Sequence, residues 1–175
     1  MRYASVTDRL ADLGGAKWAL HSRARAMKAA GEDIIEFTIG EPDVPTPEVF
    51  IQAAQRSMAA GRTGYSNGRG EPGLVAALAA RYSARRGRPI GRDQIMCLPG
   101  TQTVLYAVLR ALVENGTEVL IGDPMYATYE GLIAQTGASA VPVPLRPEKV
   151  FRMQVADVEA RITPRSRVLF LNTPH

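Results

Sequence analysis

The sequence predicts an α/β fold with a mostly parallel central sheet and helices on both of its faces. Three observations carry that expectation. From residue 94 onward, short apolar runs alternate with stretches of helical spacing. The last run, RVLFLN at 167–172, reads as the strongly apolar, buried strand of a parallel sheet. The 175 residues are 46% apolar and 22% charged, enough to build the core of one ordinary globular domain.

The elements follow in order. Residues 16–30 are rich in alanine and long side chains and predict a helix, with Gly31 placed to end it. IIEFTI at 34–39 predicts a short strand. Gly40-Glu41-Pro42-Asp43, with Pro45 and Pro47 behind it, can extend neither strand nor helix and predicts an irregular turn. Pro47 suits the first turn of a helix capped by Thr46, with Val49, Phe50, Ala53, Ala54 and Met58 on one face and an end near Gly61. GRTGYSNGRG at 61–70 is a loop. Glu71-Pro72-Gly73 opens a helix to about Arg86, with Leu74, Val75, Leu78 and Tyr82 inward.

Strands and helices then alternate. QIMCL (94–98), EVLIG (118–122), ASAVPV (138–143) and RVLFLN (167–172) predict strands. Residues 101–115, 125–136 and 154–162 predict helices, the second with Tyr126, Tyr129, Leu132 and Ile133 inward. Pro142 and Pro144 disfavour a central position for the third strand. The chain stops directly after the last strand. A buried parallel strand is normally followed by a covering crossover helix. The expectation is therefore a truncated domain with an open sheet edge.

Composition excludes several classes. There is no apolar stretch long enough to span a membrane, and the N-terminus lacks the apolar core of a signal peptide. The single cysteine, Cys97, rules out an internal disulfide framework and points to a cytoplasmic location. The net charge is +4, with Arg81, Arg85 and Arg88 on neighbouring turns of one helix face. Without interleaved aromatics that face reads as solvated, so neither a nucleic-acid nor a membrane partner is expected. His21 and His175 have no ligand-like neighbours at metal spacing, and no metal site is expected.

Chemistry can sit at the carboxyl ends of parallel strands. Gly100, Thr101 and Gln102 fall between a strand and a helix, where unpaired N–H groups and the helix dipole suit a phosphate. The same residues are also what a capped core helix needs. Tyr126, after the next strand, can lay its ring on a flat ligand or pack as a helix residue. Tyr65 in the glycine-rich loop is a ligand contact or an ordinary loop aromatic.

The order of these features resembles a known family. Ile39-Gly40-Glu41-Pro42-Asp43 with Thr46-Pro47, Tyr65, Gly73-Leu74, Pro99-Gly100-Thr101-Gln102, Asp123-Pro124-Met125-Tyr126-Ala127-Thr128-Tyr129 and Leu171-Asn172-Thr173-Pro174-His175 are similar to the class I/II aminotransferases of the fold-type I pyridoxal-phosphate enzymes. The resemblance covers nearly the whole chain. It implies pyridoxal 5'-phosphate as cofactor, an amino acid and a 2-oxo acid as substrates, and a homodimer with shared active sites. It places Gly40 at the substrate carboxylate, Gly100, Thr101 and Gln102 in the phosphate cup, and Tyr126 on the pyridine ring. Tyr65 would reach the phosphate of the neighbouring subunit, and Trp18 would lie over the substrate or serve as a packing anchor. Residues 1–46 would be the N-terminal arm and part of a small domain, and 47–175 the first half of the large domain.

Two departures stand out. Gly116-Thr117-Glu118 replaces the more usual Gly-Asp-Glu, a neutral surface change. The family's Schiff-base lysine falls beyond His175, and Lys17, Lys28 and Lys149 occupy no equivalent context. The resemblance therefore implies no catalytic residue within the chain and no activity for these 175 residues alone. A carbon–sulfur lyase or synthase of the same fold is an alternative reaction. A non-catalytic sensing or association domain is an alternative of another class. About 33 residues precede the first predicted strand, too few for a winged helix.

Overall fold

The computed structural model describes every residue except Met1, Asp12, Gly14 and Asn67, and all side chains of those except Ala16 and Lys17. Asn67 of the glycine-rich loop and the Lys17 side chain thus lie outside the described residues. The chain forms two compact units, one of Met1–Thr38 with Leu105–His175 and one of Ile39–Val104.

The first unit holds the sheet. Helices α1 (Ser5–Leu10) and α2 (Gly15–Ala29) come first. Helix α5 (Thr101–Leu112) leads in, followed by β1 (Glu118–Asp123), α6 (Tyr129–Ala134), β2 (Ser139–Pro144), α7 (Val155–Glu159) and β3 (Ser166–Phe170). All pairings are parallel, in the order β2-β1-β3, with Glu118 opposite Ser139 and Val119 opposite Val168. Central β1 is buried from Glu118 to Gly122, as a strand covered on both faces must be. Leu109, Val113, Val119, Ile121, Ile133 and Ala138 form the core against which Tyr129, Val168 and Phe170 pack. Proline supplies no ladder donor, and β2, with Pro142 and Pro144, has β1 as its one described neighbour.

The second unit is helical. It contains α3 (Glu48–Ala59), α4 (Pro72–Arg86), a 3-10 turn at Arg92–Gln94 and the first residues of α5. Pro72 starts α4, and Gly87, with φ of 64°, stops it in the left-handed conformation that favours glycine.

The structure corrects several expectations. Residues 34–39 and 95–98 are not strands. An extended run becomes a strand only through a ladder of backbone hydrogen bonds to a partner, and among the described residues neither run forms one. Cys97 instead donates its N–H to the Arg69 carbonyl at 2.9 Å. The helix expected at 125–136 starts only at Tyr129, because Ala127 and Thr128 form a turn, and Tyr126 stands outside it. Helix α7 is confined to Val155–Glu159. Pro47, not Thr46, occupies the cap of α3, whose apolar residues Val49, Phe50 and Met58 are exposed. β3 is half-buried rather than buried, with alternate residues open. Helix α1 was not anticipated, since six residues carry too little periodicity.

Candidate functional site

The start of α5 is built as an anion site would be. Gly100 has φ of 80°, and its carbonyl accepts the N–H of Val104 at 3.3 Å. A Cβ added at Gly100 would meet nothing within 4 Å, so the space in front of the turn is open. Gly100, Thr101 and Gln102 are all exposed. The first amides of a helix have no intrahelical acceptor, and the positive end of the helix dipole lies there. Gly40 and Tyr65 belong to the same unit and are exposed on separate irregular segments. Tyr65 borders a shallow cleft with Ser57, Gly64 and the Arg62–Glu71 ion pair of 2.9 Å.

In the sheet unit, the carboxyl ends of β1 and β3 frame a cavity of about 460 Å³. Gly122, Met125, Tyr129, Phe151, Phe170 and Asn172 are among its walls. Gly122 belongs there because a Cβ would come within 2.7 Å of the Leu145 side chain. Tyr126, on the loop after β1, is 58% exposed. Its ring lies 5.4 Å from that of Tyr129, which lies 4.7 Å from Phe170. Tyr129 also donates its hydroxyl to Asn172 Oδ1 at 3.4 Å. The aromatic series therefore carries the exposed Tyr126 at its outer end. Trp18, in the same unit, is exposed, and its ring contact is with His21 at 5.9 Å.

Two ionic clusters support this unit. Arg146 holds Asp157 by paired hydrogen bonds of 2.5 and 3.0 Å, which ties the loop before Phe151 to α7. That contact raises the Arg146 guanidinium and holds the Asp157 carboxyl below its ordinary range. Glu118, only 4% exposed, accepts from the Thr163 hydroxyl at 2.5 Å and pairs with Arg165 at 2.5 Å. The Thr163 hydrogen bond first, and Arg165 after it, keep the Glu118 carboxyl below its usual value against the opposing effect of burial. Among the described residues no three metal-ligating side chains come together, and no helix is long and apolar enough to cross a membrane.

Sequence reasoning missed both clusters, and also the contact of His21 with Glu36 and Thr38. Arg146 and Asp157 are 11 residues apart and Thr163 and Glu118 are 45 apart, and no spacing rule announces such pairs.

Comparison with known proteins places this arrangement. The family model for aminotransferase class I and II matches residues 32–175. The chain belongs to that family. The match includes Gly40, Tyr65, Gly100–Gln102 and Tyr126 and leaves out Trp18. The arginine–pyruvate transaminase of Pseudomonas aeruginosa is 43% identical over 175 residues, all of this chain and 44% of that protein. The aspartate/prephenate aminotransferase of Thermus thermophilus is 31% identical over 157 residues, 90% of this chain and 41% of its own. Among solved structures, Thermus thermophilus aspartate aminotransferase with maleate superposes with a TM-score of 0.89 at 30% identity, over 100% of this chain and 46% of that one. The chain thus spans less than half the length of these relatives. Members of the family use pyridoxal phosphate.

Proposed function

We propose that this chain is part of a pyridoxal-phosphate-dependent aminotransferase that moves an amino group from an amino acid to a 2-oxo acid. The observation that carries the reading is the start of α5. A left-handed glycine with open space before it, at the start of a helix whose first residues are exposed, fits a phosphate. The exposed Tyr126 can lay its ring against a flat aromatic ligand. When bound, pyridoxal phosphate supplies the electron-withdrawing ring that stabilises negative charge at the substrate Cα.

The chain's own residues then divide the remaining work. Gly100, Thr101 and Gln102 bind the phosphate through backbone N–H groups and the Thr101 hydroxyl. Tyr126 orients the ring by stacking. Gly40 offers its backbone to the substrate carboxylate, since a side chain there would crowd it. Tyr65 serves the phosphate of a second subunit in a homodimer. Trp18 borders the substrate. Residues 1–46 act as arm and part of the small domain, and 47–175 as the first half of the large domain. The group that moves the Cα proton is supplied from outside these 175 residues, because the family resemblance puts the Schiff-base lysine beyond His175 and gives Lys17, Lys28 and Lys149 no equivalent place in the sequence. The 175-residue chain alone therefore has no transaminase activity, and the working enzyme is cytoplasmic.

The test is amino transfer by the full-length protein loaded with pyridoxal phosphate. Arginine with pyruvate is the first pair to try, given the relative that bears that name. Transfer by the full-length protein and none by the 175-residue chain is the expected result. Turnover by the short chain would refute the assignment of the proton-moving group.

A further inference from the structure

Residues 33–46 are held in an unusual way. Ile34, Glu36 and Thr38 are half-buried while Ile35, Phe37 and Ile39 are exposed, the period of a strand. Among the described residues, none of their backbone groups enters a backbone–backbone hydrogen bond. Side chains do the holding instead. His21 Nδ1, on α2, lies 2.7 Å from Thr38 Oγ1 and 3.2 Å from Glu36 Oε1. Thr38 donates its hydroxyl to Glu36 Oε1 at 3.1 Å.

Proton counting fixes the direction of these bonds. Thr38 has one hydroxyl proton and gives it to Glu36. The Thr38 oxygen is therefore an acceptor toward His21, and Nδ1 carries the donated hydrogen. The same imidazole meets the Trp18 ring edge-on at 77°. His21 thus contacts both the Trp18 indole and the run Glu36–Thr38, which precedes Gly40 in the chain.

We propose that His21 is a positioning residue for the amino-acid substrate: it pins Thr38 and Glu36, in the stretch that leads along the chain to Gly40. This rests on the reading of Gly40 as a carboxylate contact. His21 touches neither substrate nor cofactor. Its loss weakens substrate binding and leaves the chemical step alone.

The test uses the full-length protein and three substitutions that separate the Nδ1 hydrogen bond from bulk. His21→Leu removes the donor. His21→Asn keeps a donor near the Nδ1 position. His21→Gln moves the amide one bond farther out. Two readouts are taken, the KM and kcat for the amino donor and the rate of chymotrypsin cleavage after exposed Phe37.

One side-chain hydrogen bond is worth roughly tenfold in an equilibrium. His21→Leu is expected to raise KM and the Phe37 cleavage rate each by about tenfold, with kcat within about twofold. His21→Asn should restore both to within about threefold of wild type, and His21→Gln should not. If His21→Leu does not fold, Thr38→Val removes the acceptor instead and should give the same pattern. Unchanged cleavage and KM, equal behaviour of the Asn and Gln variants, or a fall in kcat matching the rise in KM would each overturn the proposal. A wild-type protein that transfers no amino group would sink the functional reading. Cleavage at Phe37 would then judge the clamp alone, and equal rates in all variants would refute it.

Discussion

Replacing Gly100 probes the phosphate cup because strain and ligand contact can be told apart there. An L-residue in the left-handed conformation costs about 1–2 kcal/mol, and Gly100 sits at φ of 80°. A Cβ would meet no protein atom within 4 Å, so no clash adds to that cost. Gly100→Ala should therefore lower stability by about 1–2 kcal/mol in denaturant unfolding. Asparagine tolerates the left-handed region, so Gly100→Asn should lose less. Cofactor affinity should behave differently. Both side chains enter the open space where a phosphate would approach the helix amides. Loss of one hydrogen bond to a charged group is worth about 1.5–3 kcal/mol, or roughly 10–150-fold. Titration of the apo full-length protein with pyridoxal phosphate, followed by absorbance, measures this. Affinity falling in both variants, with stability falling mainly in Gly100→Ala, is the expected pattern. Wild-type affinity in Gly100→Asn would refute the cup and leave Gly100 a simple helix-starting turn.

Other consequences follow from the sheet unit. Tyr126→Phe should keep cofactor affinity, while Tyr126→Ala should weaken it about 3–10-fold, the worth of one aromatic stack, in the same titration. Asp157 and Glu118 both have folded pKa values below their unfolded ones. Their stabilisation is complete above the ordinary carboxylate range and is lost as pH falls through the lowered values. Asp157→Asn should accordingly flatten the acid side of a plot of unfolding midpoint against pH, and an unchanged slope would contradict the Arg146 contact. Val150 adopts φ of 54° and is three-quarters exposed. Val150→Gly relieves about 1–2 kcal/mol of backbone strain against about 0.5–1 kcal/mol of added chain freedom, so unfolding should show a gain of up to about 1.5 kcal/mol.

What could be read in advance depended on whether the controlling forces were local. Helices α2, α4 and α5 announce themselves through composition, Pro72 and the glycines that end or precede them. β1 and β2 were legible because apolar runs bounded by turns leave few alternatives, and Pro142 and Pro144 pointed to an edge. Residues 34–39 and 95–98 carry the same apolar signal. Among the described residues neither forms a strand, because ladder pairing depends on distant chain, which no local pattern encodes. Tyr126 was placed inside a helix because its spacing matches Tyr129, whereas the turn at Ala127 and Thr128 leaves it outside and exposed. The Gly100–Gln102 turn was recognisable because glycine before a helix is a local sign. The tie of His21 to Thr38 and Glu36 is a tertiary meeting of ordinary polar residues and gave no such sign.

The central claim is that a full-length protein containing this chain transfers amino groups. The most direct measurement is the product balance when that protein, loaded with pyridoxal phosphate, meets arginine and pyruvate. One alanine formed for each 2-oxo acid released from the donor, with no free ammonia, is the expected result. Ammonia in place of alanine, or no consumption of any amino donor tested, would contradict it.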